Sequence, residues 1–216
     1  MSHGRIGGRR HSRHWARLGM GLLLVLSATS AEAHTVISVR GPFFGGIKHF
    51  FLSPDDVLAA VAFGMLVGLR EPSGRGGVLV ALPAAWLAAG IVAVLSGATP
   101  VVSEVFSACT ILALGLLVAA NRELPSVAVA VIGVLSGGLH GYFNGAAMHE
   151  DGPESALLQL TGVGMSVLVV VFYLFAVLDL ADLAKRPWVR IIGRVLGSWI
   201  AASGLLLLGW SLRVGR

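Results

Sequence analysis

Apolar stretches at 55–70, 77–97, 101–120, 125–148, 156–179 and 189–212, separated by short polar loops, divide most of the chain. A helix needs about 20 apolar residues to cross the hydrocarbon layer, and every stretch but the first reaches that length. The first is expected to stand with little tilt or to lie partly in the interface. No internal repeat and no low-complexity linker breaks the pattern. It predicts an all-α membrane protein: one domain over residues 54–216, built as a six-transmembrane-helix bundle.

The start of the chain follows a different pattern. MSHGRIGGRRHSRHWAR is basic, LGMGLLLVLSA is apolar but short, and AEA at 31–33 has small residues at the right spacing for cleavage. This predicts a secretory signal peptide over residues 1–33, removed after Ala33. Residues 34–53 would then be an exported N-terminal segment containing the amphipathic run GPFFGGIKHFF. An uncleaved anchor helix is the alternative.

Composition agrees with a membrane protein. Of 216 residues, 56% are hydrophobic and 12% charged, against roughly 25% charged in soluble domains. The formal charge of +5 is misleading, because Arg5, Arg9, Arg10, Arg13 and Arg17 all precede the expected cleavage site. The remainder holds 11 basic and 10 acidic residues, which leaves no nucleic-acid footprint. The lone Cys109 excludes an intrachain disulfide and reads as a small apolar residue.

Charge in the loops predicts orientation. Arg70 and Arg75 follow the first stretch, Arg122 the third, and Lys185, Arg186 and Arg190 the fifth. The loop after the second stretch is uncharged and the one after the fourth, HEDGPES, carries acids. The positive-inside rule assigns the basic loops to the cytoplasm and both termini to the outside. The weakly basic LRVGR at the C-terminus runs against this.

With that topology nearly all the polar side chains gather at the outer end. Asp55 and Asp56 open the first stretch, with His49 just before them, and Glu104 opens the third. His140 lies 15 residues beyond Pro125, about 22 Å up an outward-running helix, and Asn144 is one turn further on the same face. Ionisable residues inside a membrane are expensive and point to function. Structural readings compete. Asp55 and Asp56 could cap a helix, Glu104 could offset a helix dipole, and His140 could make one interhelical hydrogen bond. His149, beside Glu150 and Asp151, reads mainly as a solvated loop. Gly137, Gly138, Gly141 and Gly145 have the small-residue spacing of close helix packing. His34, as the first residue after cleavage, would combine a free amine and an imidazole, a pair able to chelate a transition metal.

Two of these patterns resemble the HupE/UreJ family. His49-Phe-Phe-Leu-Ser-Pro-Asp55-Asp56 is similar to its H-x5-D-H motif, and Leu139-His140-Gly141-Tyr142-Phe143-Asn144-Gly145 to its F-H-G-x-A/V-H-G-x-E motif. The exported start, Ala81-Leu82-Pro83 and Glu104 also fit. Three positions depart: Asp56 and Asn144 replace histidines, and Ala147 replaces the final glutamate. The resemblance implies a six-helix, multi-pass protein of the bacterial inner membrane, and with the loop charges this puts the mature N-terminus in the periplasm. It implies a permease or diffusion facilitator supplying nickel or cobalt for hydrogenase or urease. It matches His49, Asp55, Glu104 and His140 to functional positions of the family.

The side-chain chemistry allows this. Imidazole suits nickel, copper, zinc and iron, while carboxylates suit harder ions. His49, Asp55, Asp56, Glu104, His140 and Asn144, with His34, form the candidate metal-binding set, with no catalytic residue and no prosthetic group. The metal is substrate. Expected partners are the metal ion and membrane lipid; a homo-oligomer or a metalloenzyme-maturation partner is left open. Two rival readings remain: a non-transporting metal-binding accessory or sensor protein, and an intramembrane metal-dependent hydrolase, which would typically need about three protein ligands and a water.

Overall fold

The computed structural model describes residues 41–70, 75–99, 103–180 and 183–214. The expected signal peptide and His34 lie outside the described residues, as do 71–74, 100–102 and 181–182. The described chain is helical, with no strand: α1 (Gly41–Leu52), α2 (Pro54–Gly68), α3 (Arg75–Leu79), α4 (Ala81–Ser96), α5 (Ser103–Ala120), α6 (Ser126–Met148), α7 (Pro153–Leu180) and α8 (Pro187–Val214). Short 3₁₀ turns occupy His149–Asp151 and Leu183–Lys185.

Among the described residues, four helical stretches are long and apolar enough to cross a membrane: Gly77–Ser96, Ser126–Asp151, Pro153–Asp179 and Pro187–Arg213. Two of the six expected spans differ from simple full-length helices. The first is preceded by another helix, and the pair α1–α2 is bent by 78° at Ser53. Counted as one broken span, it makes a fifth. The cause of the bend is Pro54. Proline has no amide hydrogen and its ring collides with the carbonyl four residues back, so α1 cannot run on into α2. Ser53 takes an extended conformation (φ −97°, ψ 95°), and its hydroxyl donates to the His49 carbonyl, 2.8 Å away. The third expected span is the shorter apolar helix Glu104–Ala120. Beyond it Asn121 turns the chain with φ 48°, a left-handed conformation that asparagine tolerates better than most residues.

α2 is the central helix. Every residue from Ala62 to Gly68 is buried, as are Ala59 and Ala60. A helix apolar on all sides fits among other helices or against lipid. Here α7 and α5 are its main neighbours.

Two helix pairs flank it, and glycines set their spacing. In α6, Gly137, Gly141 and Gly145 recur every four residues and so share one face. A methyl group on each would overlap, in turn, the carbonyl oxygens of Leu82, Trp86 and Gly90 of α4. The second pair, α5 and α8, closes similarly. A side chain on Gly115 would strike Ala201, one on Gly197 would strike Ala119, and one on Gly204 would strike Leu112. Gly138 is outside this scheme, with open space where a side chain would go. α1 is held by the same device, since a side chain on Gly46 would overlap Gln159 of α7 and one on Gly162 would overlap Phe43.

The two ends of the bundle differ in chemistry. At one end Arg70 donates to the Leu124 carbonyl and to Ser126 Oγ (3.3 Å for the latter), tying α2 to the start of α6. Asn121, Arg122, Glu123 and Arg190 are near it around a small hollow. The other end brings together the starts of α2 and α5 and the last turns of α6 and α8, and it carries the carboxylates and His140.

Candidate metal centre

Asp56 is the third residue of α2, where the bend at Ser53 aims the first turn into the bundle. His140 comes from the second half of α6. The Gly141 contact with Trp86 draws α6 against α4 at that level. His140 Nδ1 lies 2.8 Å from Asp56 Oδ1. Asn144, one turn on, donates from Nδ2 to Asp56 Oδ2 at 3.0 Å and to the His140 carbonyl at 2.9 Å. His140 is 1% exposed, Asp56 3% and Asn144 5%. Two donors thus serve one buried carboxylate, one on each oxygen. Burial of a charge at this depth requires such pairing. Asp56 therefore does more than complement its own helix dipole.

The bonding assigns the remaining atoms. A carboxylate only accepts, so Nδ1 of His140 donates to Asp56. Both contacts of Asn144 Nδ2 are to acceptors, which fixes the amide with Oδ1 on the other side. Nε2 of His140 and Oδ1 of Asn144 are buried and have no hydrogen-bond partner. Two unpartnered buried polar atoms in one small region are uncommon in a folded interior and ask for a reason.

Asp55 completes the group. Asp55, Asp56 and His140 each offer a ligand atom, and these atoms lie within 4.8 Å of one another. The cluster opens on a cleft of about 170 Å³ lined also by His49, Ser53, Ser107, Phe143 and Asn144. A second hollow of about 310 Å³ adjoins it, bounded by Glu104, Ala108, Leu207, Trp210 and Ser211. Asp55 and Ser107 line both. Glu104 is exposed and faces only the second hollow. Ala147, on the cleft wall, offers no donor.

His149 is half-buried. Its ring packs beside Gly97, whose left-handed conformation (φ 64°) ends α4. Gln159 serves the turn between α6 and α7, donating to Asp151 Oδ2 at 2.7 Å. Met148 is buried in the core.

Four neighbours of the cluster were not among the expected site residues: Ser53, Ser107, Phe143 and Trp86. Trp86 is fully buried and its ring lies 5.1 Å from that of His140, tilted by 33°. Its position midway between Leu82 and Gly90, on the α4 face that meets the glycines, was the available signal. Ser107 lies one turn beyond Glu104, and Ser53 is four residues after His49.

These features define a multi-pass, all-helical membrane protein with a buried histidine–carboxylate cluster opening at one end. The family model described as HupE / UreJ protein matches residues 22–207, and the chain belongs to that family, which is associated with nickel and cobalt transport or accessory function. No curated protein and no solved structure gave a match.

Proposed function

We propose that this protein is a permease or facilitator for a divalent transition metal, nickel or cobalt, in the bacterial inner membrane, with the histidine–carboxylate end facing the periplasm. The observation that carries the reading is the cluster of Asp55, Asp56, His140 and Asn144, which has two unpartnered buried polar atoms and lines an open cleft. A hydrated dication meets negative potential at exposed Glu104 and half-buried Asp55, whose carboxylates raise its local concentration. At the cleft it exchanges water for carboxylate, imidazole and amide oxygen. A conduction site must bind well enough to admit the ion and weakly enough to release it, and a mixed, incomplete ligand set has that character. The basic loops at the opposite end support a cytoplasmic assignment there. No prosthetic group is required, and the metal is cargo.

A second reading, a metal-binding accessory or sensor protein, draws on one observation. Below the cleft the bundle is closed by apolar side chains. The Phe63 ring abuts Gly133, and α2 is uncharged from Ala59 to Gly68 and buried there at every residue but Val61. A metalloenzyme-maturation protein or a second copy of this chain would then be the partner.

Reconstitution in liposomes separates the two. Uptake of Ni²⁺ or Co²⁺ that is lost in His140→Ala supports the permease. Binding without uptake for any of Ni²⁺, Co²⁺, Zn²⁺ and Cu²⁺ supports the accessory reading.

A further inference from the structure

Arg70, Arg122 and Arg190 come from the end of α2, the turn after α5 and the first turn of α8, yet all three line one hollow. Glu123 is the one carboxylate in its lining, so positive charge is in excess. Two of the arginines are held in place. Arg70 donates to the Leu124 carbonyl and to Ser126 Oγ, and Arg190 Nε donates to the Ala184 carbonyl at 3.4 Å. These partners are neutral oxygens, so the bonds order the guanidinium groups without cancelling their charge. Ordered guanidinium groups with charge to spare suit a phosphate, whose oxygens match their donor geometry. The helix dipoles do not supply the attraction, since α2 and α5 end here and present carbonyls, and only α8 begins here.

Apart from Asn121, the rest of the lining is apolar: Leu66 and Leu69 from α2, Leu117 and Val118 from α5. A basic rim over an apolar wall has the polarity of a phospholipid. Trp188, exposed on the same turn of α8 as Arg190, fits the level at which hydrocarbon meets headgroups, where tryptophan concentrates. The hollow has a volume of about 30 Å³, room for the order of two water-sized groups. That admits oxygens of a phosphate and leaves the rest of the molecule outside.

We infer that this hollow binds the phosphate of an anionic phospholipid, which bridges α2, the α5–α6 turn and α8 at the arginine-rich end of the bundle. The inference goes beyond the metal reading and does not rest on it. A zwitterionic lipid brings the same phosphate with a cation of its own, which the arginines repel. Free phosphate shares the chemistry but has no acyl chains to lie along the apolar wall.

The test uses the purified protein in detergent. Thermal unfolding is followed with added phosphatidylglycerol, phosphatidylcholine or inorganic phosphate, and native mass spectrometry measures the lipid retained. Phosphatidylglycerol is expected to raise the midpoint and stay bound, and the other two to do neither. Arg122→Gln and Arg190→Gln are each expected to weaken retention about fivefold, the worth of one arginine near an anionic surface. Arg213→Gln, at the opposite end of α8, is expected to leave it unchanged. Arg70 is spared because it ties α2 to α6. An equal effect of phosphatidylcholine, unchanged retention in the Arg122 and Arg190 variants, or an equal loss in Arg213→Gln overturns the inference. A midpoint raised as far by inorganic phosphate assigns the hollow to the free anion and overturns the lipid. Arg122 is exposed and outside the helices, so its variant is expected to fold, and it decides alone if Arg190→Gln does not.

Discussion

Asp56 and His140, 84 residues apart in the chain, meet at 2.8 Å in a part of the bundle where both are almost fully buried. Neither would be stable there alone. The carboxylate needs donors and the imidazole needs an acceptor, and Asn144 supplies the remaining hydrogen bond. Asp56→Ala would strand the Nδ1 hydrogen of His140 and weaken the hold on Asn144. Breaking a buried pair from one side typically costs about 3–5 kcal/mol. The expected result is a clear fall in the thermal unfolding midpoint in detergent. Asp56→Asn keeps an acceptor for His140 but turns a second amide donor toward Asn144, so its midpoint should fall between those of wild type and Asp56→Ala. Equal midpoints for all three would mean that the contact contributes nothing to the fold.

The glycines of α6 predict a contrast within one helical turn. A methyl group at Gly141 would overlap the Trp86 carbonyl, which belongs to backbone and cannot swing aside. Gly141→Ala must therefore part α6 from α4, at a cost of about 1–3 kcal/mol or more for overpacking. Gly138 has open space around it, and Gly138→Ala should be neutral or stabilising by up to about 1 kcal/mol, the gain in helix propensity. Thermal melts of the two purified variants check this. A milder effect at 141 than at 138 would contradict the packing described.

Some of this was legible in the sequence. The gathering of His140, Asn144, Asp55 and Asp56 at one end followed from hydropathy and loop charge, because depth along a helix depends on local spacing alone. The glycine spacing foretold close packing, yet not that Gly138 would be idle, since that depends on which face a neighbouring helix occupies. The bend at Ser53 was harder to read. Hydropathy marked a stretch from 55 and left Gly41–Leu52 as an amphipathic segment. Its seat on α7 depends on backbone contact of Gly46 with Gln159 and of Gly162 with Phe43. Such contacts join residues more than a hundred positions apart and leave no periodic trace. Trp86 was missed for a related reason: within an apolar run a tryptophan reads as core, and its ring contact with His140 is a tertiary fact.

Trp86 yields a further expectation. Its indole is fully buried and Nε1 has no partner. Trp86→Phe removes that unsatisfied donor while keeping an aromatic face against His140, so loss of volume and relief of an unpaired group act in opposite directions. The midpoint should shift little. Trp86→Ala removes the ring altogether and is expected to cost about 3–5 kcal/mol, as for other buried aromatic truncations. A large loss in Trp86→Phe would imply that Nε1 has a partner, such as a buried water.

Asp55 and Glu104 should differ in what they do to metal entry. Asp55 is half-buried, belongs to the cluster and lines both hollows, whereas Glu104 is exposed and lines only the larger one. Under the permease reading Glu104 acts at a distance by attracting cations, and such steering is screened by salt over about 10 Å at 0.1 M ionic strength. Glu104→Gln should therefore slow initial uptake several-fold at low ionic strength and have little effect at high ionic strength. Asp55 is close enough to meet the ion directly, and its loss cannot be masked by salt. Asp55→Asn should reduce uptake by about tenfold or more at either ionic strength, the scale on which metal-site substitutions act. Initial rates of Co²⁺ entry into liposomes at two salt concentrations measure both. If salt rescued Asp55→Asn as fully as Glu104→Gln, Asp55 would be part of the electrostatic approach and not of the binding site.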